Sequence, residues 1–120
     1  MVEPHKPTAL VVEDDEIQRG MVAELLEDVH MDVIQCESGE AAEQVLNRLG
    51  PSLCLMFTDV NLSGTMKGTE LAVIASERFP KMSVIVTSGR ECPDLPPAAH
   101  FMPKPWHPAD VVVEAERACR

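Results

Sequence analysis

Two hydrophobic patterns alternate along this 120-residue chain, and their order constrains the fold more than any single motif does. Five short, mainly apolar runs have the length and composition of buried strands, at residues 8–12, 31–36, 53–58, 83–87 and 99–102. Segments in which apolar residues recur every three or four positions follow most of these runs, which is the pattern of an amphipathic helix. This alternation predicts a parallel α/β sheet, and right-handed crossovers narrow it to a doubly wound sheet of five strands.

Four segments carry the helical pattern. Asp15 followed three residues later by Gln18 matches a capping box and predicts the start of the first helix. The apolar stripe of this helix is predicted to consist of Ile17, Met21, Val22, Leu25, Leu26 and Val29. Further helices are predicted at residues 38–49, with Ser38 as the cap, and at residues 69–79 and 107–119.

The stretch between the fourth and fifth strands departs from this alternation. Residues 88–98 contain Pro93, Pro96 and Pro97. A proline inside a helix costs about 3 kcal/mol, because it lacks a backbone donor and clashes with the preceding turn. A loop with at most one helical turn is therefore predicted in place of a full helix.

The formal net charge of −10 argues against sequence-independent binding to nucleic acid, whose affinity comes from Lys and Arg contacts to phosphates. Residues 1–60 hold thirteen acids and three bases, whereas residues 61–120 hold seven of each, so a partner of the first half should be basic or bring a metal ion. No apolar run approaches the roughly 18 residues of a membrane span, and the N-terminus lacks a secretory signal. We expect one soluble, cytoplasmic domain over residues 1–120, with no output domain and no direct nucleic-acid or membrane partner.

The chain has four cysteines, Cys36, Cys54, Cys92 and Cys119. They show neither C-x-x-C spacing nor a histidine at ligand spacing, so reduced thiols are expected. Cys36 and Cys54 are expected to be buried as small apolar side chains. Trp106 is interpreted as a packing anchor, and four methionines are interpreted as core residues: Met21, Met56, Met82 and Met102.

Reactive side chains stand at the carboxyl ends of four predicted strands: Glu13 with Asp14, Asp59, Thr87 and Lys104. Because ligands of open α/β sheets bind at this edge, we expect these side chains to converge. Converging carboxylates repel each other unless a cation lies among them, and hard oxygen ligands favour Mg²⁺. An ionised Asp59 could then attack a phosphoryl group, whose oxygens Lys104 and the Thr87 hydroxyl would bind.

Taken in order, the acidic pair, Asp59 after LCLMFT, VIVTS at residues 84–88 and Lys104-Pro105 resemble the receiver domain of two-component response regulators. The resemblance extends over about residues 8–119 and is closest to stand-alone receivers with a short or missing fourth helix. It implies a flavodoxin-like fold with strand order 2-1-3-4-5. It also implies a signalling protein rather than an enzyme, catalysing only its own phosphorylation and dephosphorylation. A histidine kinase or histidine phosphotransfer protein would donate the phosphoryl group, and phosphorylation would switch binding to a downstream protein target.

The resemblance implies a role for each residue of the site. Asp59 would accept the phosphoryl group, and Mg²⁺ would be bound by Glu13, Asp14, Asp59 and the backbone carbonyl of Asn61. The phosphate-binding and switch residues would be Thr87, Ser88, Lys104 and Phe101, with a cis peptide bond before Pro105.

Besides the short or missing fourth helix and the acidic run lengthened by Asp15, two details depart from the commonest family pattern. The loop at residues 59–68 is one residue longer and has Ser63 where proline is usual. Ser88 stands where alanine or glycine is commoner, which would add a hydroxyl near the phosphate.

The alternatives to a phospho-accepting receiver are a hydrolase, a cofactor carrier and a pseudo-receiver. A haloacid-dehalogenase-type hydrolase needs a second carboxylate as general acid, whereas this chain has the amide of Asn61 two positions after Asp59. A flavodoxin-like cofactor carrier is disfavoured because the acidic run at residues 13–16 would repel a phosphate and no glycine-rich phosphate motif occurs. A pseudo-receiver, which binds partners without being phosphorylated, stays open as the alternative.

Overall fold

A computed structural model describes residues 6–90 and 92–119. The prediction that the N-terminus carries no secretory signal falls largely on residues 1–5, outside the described residues. The elements in chain order are β1 (Thr8–Val12), α1 (Glu16–Asp28), β2 (Asp32–Cys36), α2 (Gly39–Leu49), a single 3₁₀ turn (Gly50–Ser52), β3 (Leu53–Asp59), α3 (Gly68–Arg78), β4 (Ser83–Ser88), β5 (Ala99–Pro103) and α4 (Pro108–Ala118).

The five strands form one parallel sheet in the order β2-β1-β3-β4-β5, as predicted. The strand register aligns the carboxyl ends of neighbouring strands. Asp59 at the end of β3 is the partner of Thr87 in β4, and Thr87 is in turn the partner of Met102 in β5. The side chains that follow these strands therefore start from one edge of the sheet.

Both faces of the sheet are covered, which explains why the central strands are apolar at nearly every position. One face packs against α2 and α3 in an α2–α3 cluster that includes Leu10, Leu46, Met56 and Leu71. The other packs against α1 and α4 in an α1–α4 cluster that includes Val11, Leu26, Phe57 and Val111. Alternate residues of a strand point to opposite faces, so β1 and β3 supply both clusters. Each fully buried Leu or Val contributes about 1.5–3 kcal/mol.

The connection between β4 and β5 contains no helix at residues 89–90 and 92–98, as the prolines predicted. Its Leu95 side chain packs against the α2–α3 cluster. A groove of about 630 Å³ runs between this connection and α3, lined by Val73, Leu95 and Pro96 among others. The chain thus leaves the outer flank of α3 open.

Helix α1 begins as predicted, but its apolar stripe is shorter than the sequence pattern indicated. Asp15 is the N-cap, and its Oδ1 accepts a hydrogen bond from the Gln18 backbone N–H at 3.0 Å. Ile17 and Met21 are 76% and 52% exposed, so their predicted places in the core are wrong. Met21 instead lines a groove beside Trp106 at the carboxyl edge of the sheet.

The prediction of four reduced thiols is wrong for two of them. Cys54, near the start of β3, and Cys119, directly after α4, form a disulfide with their Cα atoms 5.8 Å apart. Cys54 is half-buried rather than buried. The two residues are 65 positions apart in sequence, so spacing carried no signal, and only the packing of α4 on the sheet brings them together. The remaining thiols are the buried Cys36 and the exposed Cys92.

Within the described residues, no helix is both long and apolar enough to cross a membrane.

Candidate functional site

Three backbone hydrogen bonds just beyond the strands hold the carboxyl edge of the sheet in place. The N–H of Glu13 donates to the Cys36 carbonyl at 3.0 Å, and the N–H of Val60 donates to the Thr87 carbonyl at 3.0 Å. The N–H of Lys104 donates to the Ser88 carbonyl at 2.9 Å. These bonds extend the parallel pairing by one residue, so the functional side chains emerge from a fixed backbone.

The Lys104 ammonium is the centre of the site. Its Nζ lies 2.5 Å from Asp59 Oδ2 and 3.4 Å from Glu13 Oε1, and it donates to Gln18 Oε1 at 2.8 Å. Glu13 and Asp59 are only 5% and 7% exposed. One ammonium thus bridges two buried carboxylates, and charge-assisted hydrogen bonds of this kind are stronger than neutral ones.

The electrostatics of the site show an excess of negative charge. Burial, helped by the neighbouring carboxyls of Asp14 and Asp59, raises the pKa of Glu13 to about 7, although the hydrogen bond from the Asp15 backbone N–H acts in the opposite direction. Burial lowers the pKa of Lys104, but its contacts with Asp59 and Glu13 outweigh that effect and leave its pKa above the ordinary value. Lys104 is therefore a permanent cation, whereas Glu13 exchanges its proton near neutral pH.

Asp14 and Asn61 lie at the rim of this site. Asp14 is exposed, and its carboxyl contributes to the raised pKa of Glu13. The Asn61 backbone N–H donates to Asp59 Oδ1 at 2.9 Å. One Asp59 oxygen is thus fixed by the backbone and the other by Lys104, so the carboxylate has a single orientation.

The side chains at this edge fit a hard divalent cation in kind. Carboxylate oxygens are the donors that Mg²⁺ prefers, and the raised pKa of Glu13 marks negative charge that a cation would relieve. Among residues 6–90 and 92–119, however, no group of three or more His, Cys, Asp or Glu is arranged to hold a metal ion. In this structure the Lys104 ammonium lies between the carboxylates of Glu13 and Asp59.

Two hydroxyls lie at the end of β4, next to Asp59 across the β3–β4 pairing. Thr87 is 1% exposed, and within the described chain its Oγ1 has no hydrogen-bond partner. A buried hydroxyl without a partner costs about 1–3 kcal/mol, so a native structure rarely keeps one without a use. Ser88 Oγ is already engaged, because it accepts from the Arg90 N–H at 3.1 Å.

The structure places the predicted switch aromatic apart from the ammonium centre. Phe101 is half-buried in β5 and lines a groove with Val113 of α4. Among the described residues it belongs to neither apolar cluster. The peptide bond between Lys104 and Pro105 is cis. Trp106 packs edge-on against Phe57, with ring centroids 5.9 Å apart and planes at 83°.

The loop after Asp59 is tied down at both ends. Glu40 accepts hydrogen bonds from the Thr65 N–H at 3.1 Å and the Thr65 hydroxyl at 3.3 Å. Gly64 has φ +88°, a conformation that favours glycine. Gly68 begins α3 against the Asp59 backbone, where a Cβ would overlap the Asp59 carbonyl oxygen. The longer loop therefore does not loosen the backbone around Asp59.

Two residues of the site were not identified from the sequence. The sequence pattern assigns Gln18 to a capping box, but its side chain accepts from Lys104 instead of returning to the cap. Arg19 donates from Nη1 to the Glu13 carbonyl oxygen at 3.0 Å and from Nε to Gln35 Oε1 at 3.3 Å. Their position in the first turn of α1, just after the acidic run, was the only available signal.

Known proteins resemble this chain over nearly its whole length. A family model described as the response regulator receiver domain matches residues 9–115. A response regulator receiver protein from Sinorhizobium medicae WSM419 is 22% identical, with a TM-score of 0.88 covering 96% of this chain and 95% of that chain. The receiver domain of the hybrid histidine kinase CckA is 24% identical, with a TM-score of 0.81, and the match covers 94% of this chain and 99% of that chain. The chemotaxis response regulator CheY4 of Vibrio cholerae is 19% identical, with a TM-score of 0.80, and the match covers 95% of this chain and 99% of that chain. No curated protein matches the chain.

The solved structures share the five-stranded fold described above, at identities that speak for the fold alone. The family model adds sequence evidence that extends from β1 into α4. The chain belongs to the response regulator receiver domain family, whose members are the signalling domains of two-component phosphorelays.

Proposed function

We propose that this chain accepts a phosphoryl group on Asp59 in a His-to-Asp phosphorelay and that phosphorylation alters its binding to a protein target. The observation that carries the proposal is the Lys104 ammonium 2.5 Å from Asp59 Oδ2, together with a buried Thr87 hydroxyl on the adjacent strand that has no hydrogen-bond partner among the described residues. A cation and a free donor stand where a phosphoryl group on Asp59 would place negative oxygens.

The proposed reaction is an in-line transfer to a carboxylate. An Asp59 oxygen attacks the phosphorus of a donor phosphohistidine while the phosphorus–nitrogen bond breaks, and the electron pair leaves with the histidine nitrogen. Asn61 holds Asp59 Oδ1 through its backbone N–H and so aims the carboxylate. Lys104 moves from the carboxylate to a phosphoryl oxygen, and the Thr87 hydroxyl donates to another. Both groups are positioned before the reaction, which is how electrostatic stabilisation of a transition state is most effective.

Mg²⁺ is part of the proposal, with Glu13, Asp14, Asp59 and the Asn61 carbonyl as its protein ligands. The ion would supply positive charge to the transferring phosphoryl oxygens. With the ion bound, Glu13 would be held by the metal instead of by Lys104 and would give up its proton. The proton release follows from a pKa of about 7 in the absence of metal.

A protein donor must touch the rim of this site, because Asp59 itself is 7% exposed. A groove of about 440 Å³ opens on the α1 side, lined by Met21, Pro105 and Trp106 around Lys104. Ile17 stands exposed in the same first turns of α1. We assign this apolar rim to the donor, a histidine kinase or histidine phosphotransfer protein that also carries positive charge opposite the acidic first half. The proposal places donor and acceptor in the cytoplasm.

The test is the intact mass of the chain after incubation with Mg²⁺ and acetyl phosphate. We expect a gain of one phosphoryl group that requires the metal and is absent from Asp59→Asn. Asp28→Asn, which removes a charge at the far end of α1, is the matched control and should react like the natural chain. An unchanged mass with acetyl phosphate and with phosphohistidine donors would favour the pseudo-receiver, which keeps the fold without the chemistry.

A further inference from the structure

The cysteine pair at the amino-terminal edge of the sheet is independent of the proposed phosphorylation site. Cys54 lies in β3 and Cys119 follows α4, with Cα atoms 5.8 Å apart, inside the range that a disulfide bridges without backbone movement. Both side chains are half-buried and pack on the α1–α4 cluster. A bond between them connects α4 to the strand that carries Asp59.

We propose that Cys54 and Cys119 form a reversible redox site, a dithiol under reducing conditions and a disulfide when low-molecular-weight disulfides accumulate. The oxidant is of the glutathione disulfide class. One cysteine thiolate attacks the glutathione disulfide, forming a mixed disulfide and releasing one glutathione thiolate. The second cysteine thiolate then attacks the protein sulfur of that mixed disulfide and releases the second glutathione. Two electrons and two protons pass from the protein thiols to two glutathione molecules.

The same local structure can also hold Cys54 and Cys119 as free thiols. Cys54 Sγ lies 3.5 Å from the Thr8 carbonyl oxygen, which can accept a hydrogen bond from the thiol when the disulfide is open. Apolar contacts with the α1–α4 cluster hold Ala115 and Ala118 of the last helical turns without the covalent bond. Both redox states are therefore compatible with the fold, as a switch requires.

Access favours Cys119 as the cysteine that reacts first. It lines an open groove of about 270 Å³ with Pro7, His30 and Met31, so a small disulfide can reach its sulfur. The other two cysteines lack this combination. Cys36 is buried, and burial raises the pKa of its thiol. Cys92 is exposed and free, so it has no resolving partner within the chain.

Oxidation would brace α4 against β3 at both ends. The turn that leads into α4 already contacts β3 through the edge-on packing of Trp106 on Phe57. The disulfide adds a covalent contact at the other end and closes a loop with a sequence separation of 65. Closing a loop of this length restricts the unfolded chain, which should raise Tm by about 10 °C. The last turns of α4 should also exchange their amide hydrogens more slowly.

The experiment uses a Cys92→Ser chain, which removes the exposed thiol that could link two molecules. The chain is equilibrated with glutathione mixtures from fully reduced to fully oxidised and denatured in acid. Its free thiols are then alkylated and counted from the intact mass. We expect two alkylated thiols fewer at the oxidising end, a peptide linking Cys54 to Cys119, recovery of both thiols by reduced glutathione, and the rise in Tm. Cys54→Ser and Cys119→Ser, each in the same background, should show no redox-dependent Tm.

Three results would overturn the proposal: full alkylation after equilibration with glutathione disulfide, a linkage that involves Cys36, or a disulfide that reduced glutathione cannot open. Phosphorylation by acetyl phosphate is measured on the same samples. Because neither cysteine belongs to the phosphorylation site, the two proposals fail separately.

Discussion

Lys104 makes more of the site's polar contacts than any other single side chain among the described residues. It contacts a residue after β1, one at the end of β3 and one in α1, and so links three segments of the chain. Its contacts with Asp59 and Glu13 are ion pairs whose partners are nearly buried, where charge interactions are far stronger than at the surface. If Asp59 is phosphorylated as proposed, the change of charge would act first on Lys104 and then on the turn that carries Trp106.

Replacing Lys104 with alanine should separate phosphorylation from its consequence. In the natural chain, Mg²⁺ and acetyl phosphate should change the fluorescence of Trp106, the only tryptophan, because Lys104 shifts from the carboxylate to a phosphoryl oxygen. In Lys104→Ala the circular dichroism spectrum should stay the same while most of this fluorescence change disappears. Lys67→Ala, an exposed lysine at the start of α3, is the control. A full fluorescence response from phosphorylated Lys104→Ala would remove this lysine from the switch.

Glu13 should make the metal-free chain less stable as pH rises. Its folded pKa of about 7 lies above the ordinary 4.5, so the folded chain binds the proton more tightly than the unfolded chain does. The resulting stabilisation is present below the ordinary pKa and is lost as pH rises through the folded pKa. Glu13→Gln cannot ionise and lacks this loss.

Urea unfolding in the presence of a chelator measures the effect. The two chains should differ least at about pH 5, and Glu13→Gln should gain about 2 kcal/mol relative to the natural chain by about pH 8. Adding Mg²⁺ should stabilise the natural chain more at the higher pH, because the ion competes with the proton. A difference in the free energy of unfolding between the two chains that does not vary with pH would contradict the raised pKa of Glu13.

At the scale of elements, the period of the hydrophobic pattern predicted the strands and helices whose apolar residues form the core. Five strands, four helices and the absence of a helix among the described residues between β4 and β5 follow from apolar spacing and from prolines. The pattern failed in the first turns of α1. Ile17 and Met21 continue the spacing of α1, but both are exposed, and Met21 lines the groove beside Lys104 and Trp106. Periodicity identifies the apolar face of a helix but not whether another part of the protein packs against that face.

The start of α3 should tolerate no side chain at Gly68. A Cβ there would overlap the Asp59 carbonyl oxygen, so Gly68→Ala must displace either α3 or the end of β3. We expect a loss of about 2 kcal/mol or more in the free energy of unfolding, together with slower phosphorylation. Gly20→Ala is the matched control, since nothing lies within 4 Å of its Cβ, and a helical Gly→Ala change there should stabilise by about 0.5–1 kcal/mol. Equal stabilities of the two variants in urea would show that α3 does not need this close approach.

At the scale of the whole molecule, the sequence predicted which side chains share an edge but not how they pair. Parallel strands bring Glu13, Asp59, Thr87 and Lys104 to one edge whatever their detailed geometry, and the structure places them there. The contact of Gln18 with Lys104 and the Cys54–Cys119 bond depend on how α1 and α4 lie on the sheet. Residues 86 positions apart in one case and 65 in the other carry no local sequence signal.

The identity of the phosphorylated atom is the central claim, and chemical trapping tests it most directly. An acyl phosphate on an aspartate is reduced by borohydride to the alcohol, which converts that residue to homoserine. After treatment with Mg²⁺ and acetyl phosphate followed by borohydride, peptide mass spectrometry should find homoserine at position 59 and aspartate at position 14. Homoserine at another position, or none in a chain whose mass has increased by a phosphoryl group, would contradict Asp59 as the acceptor.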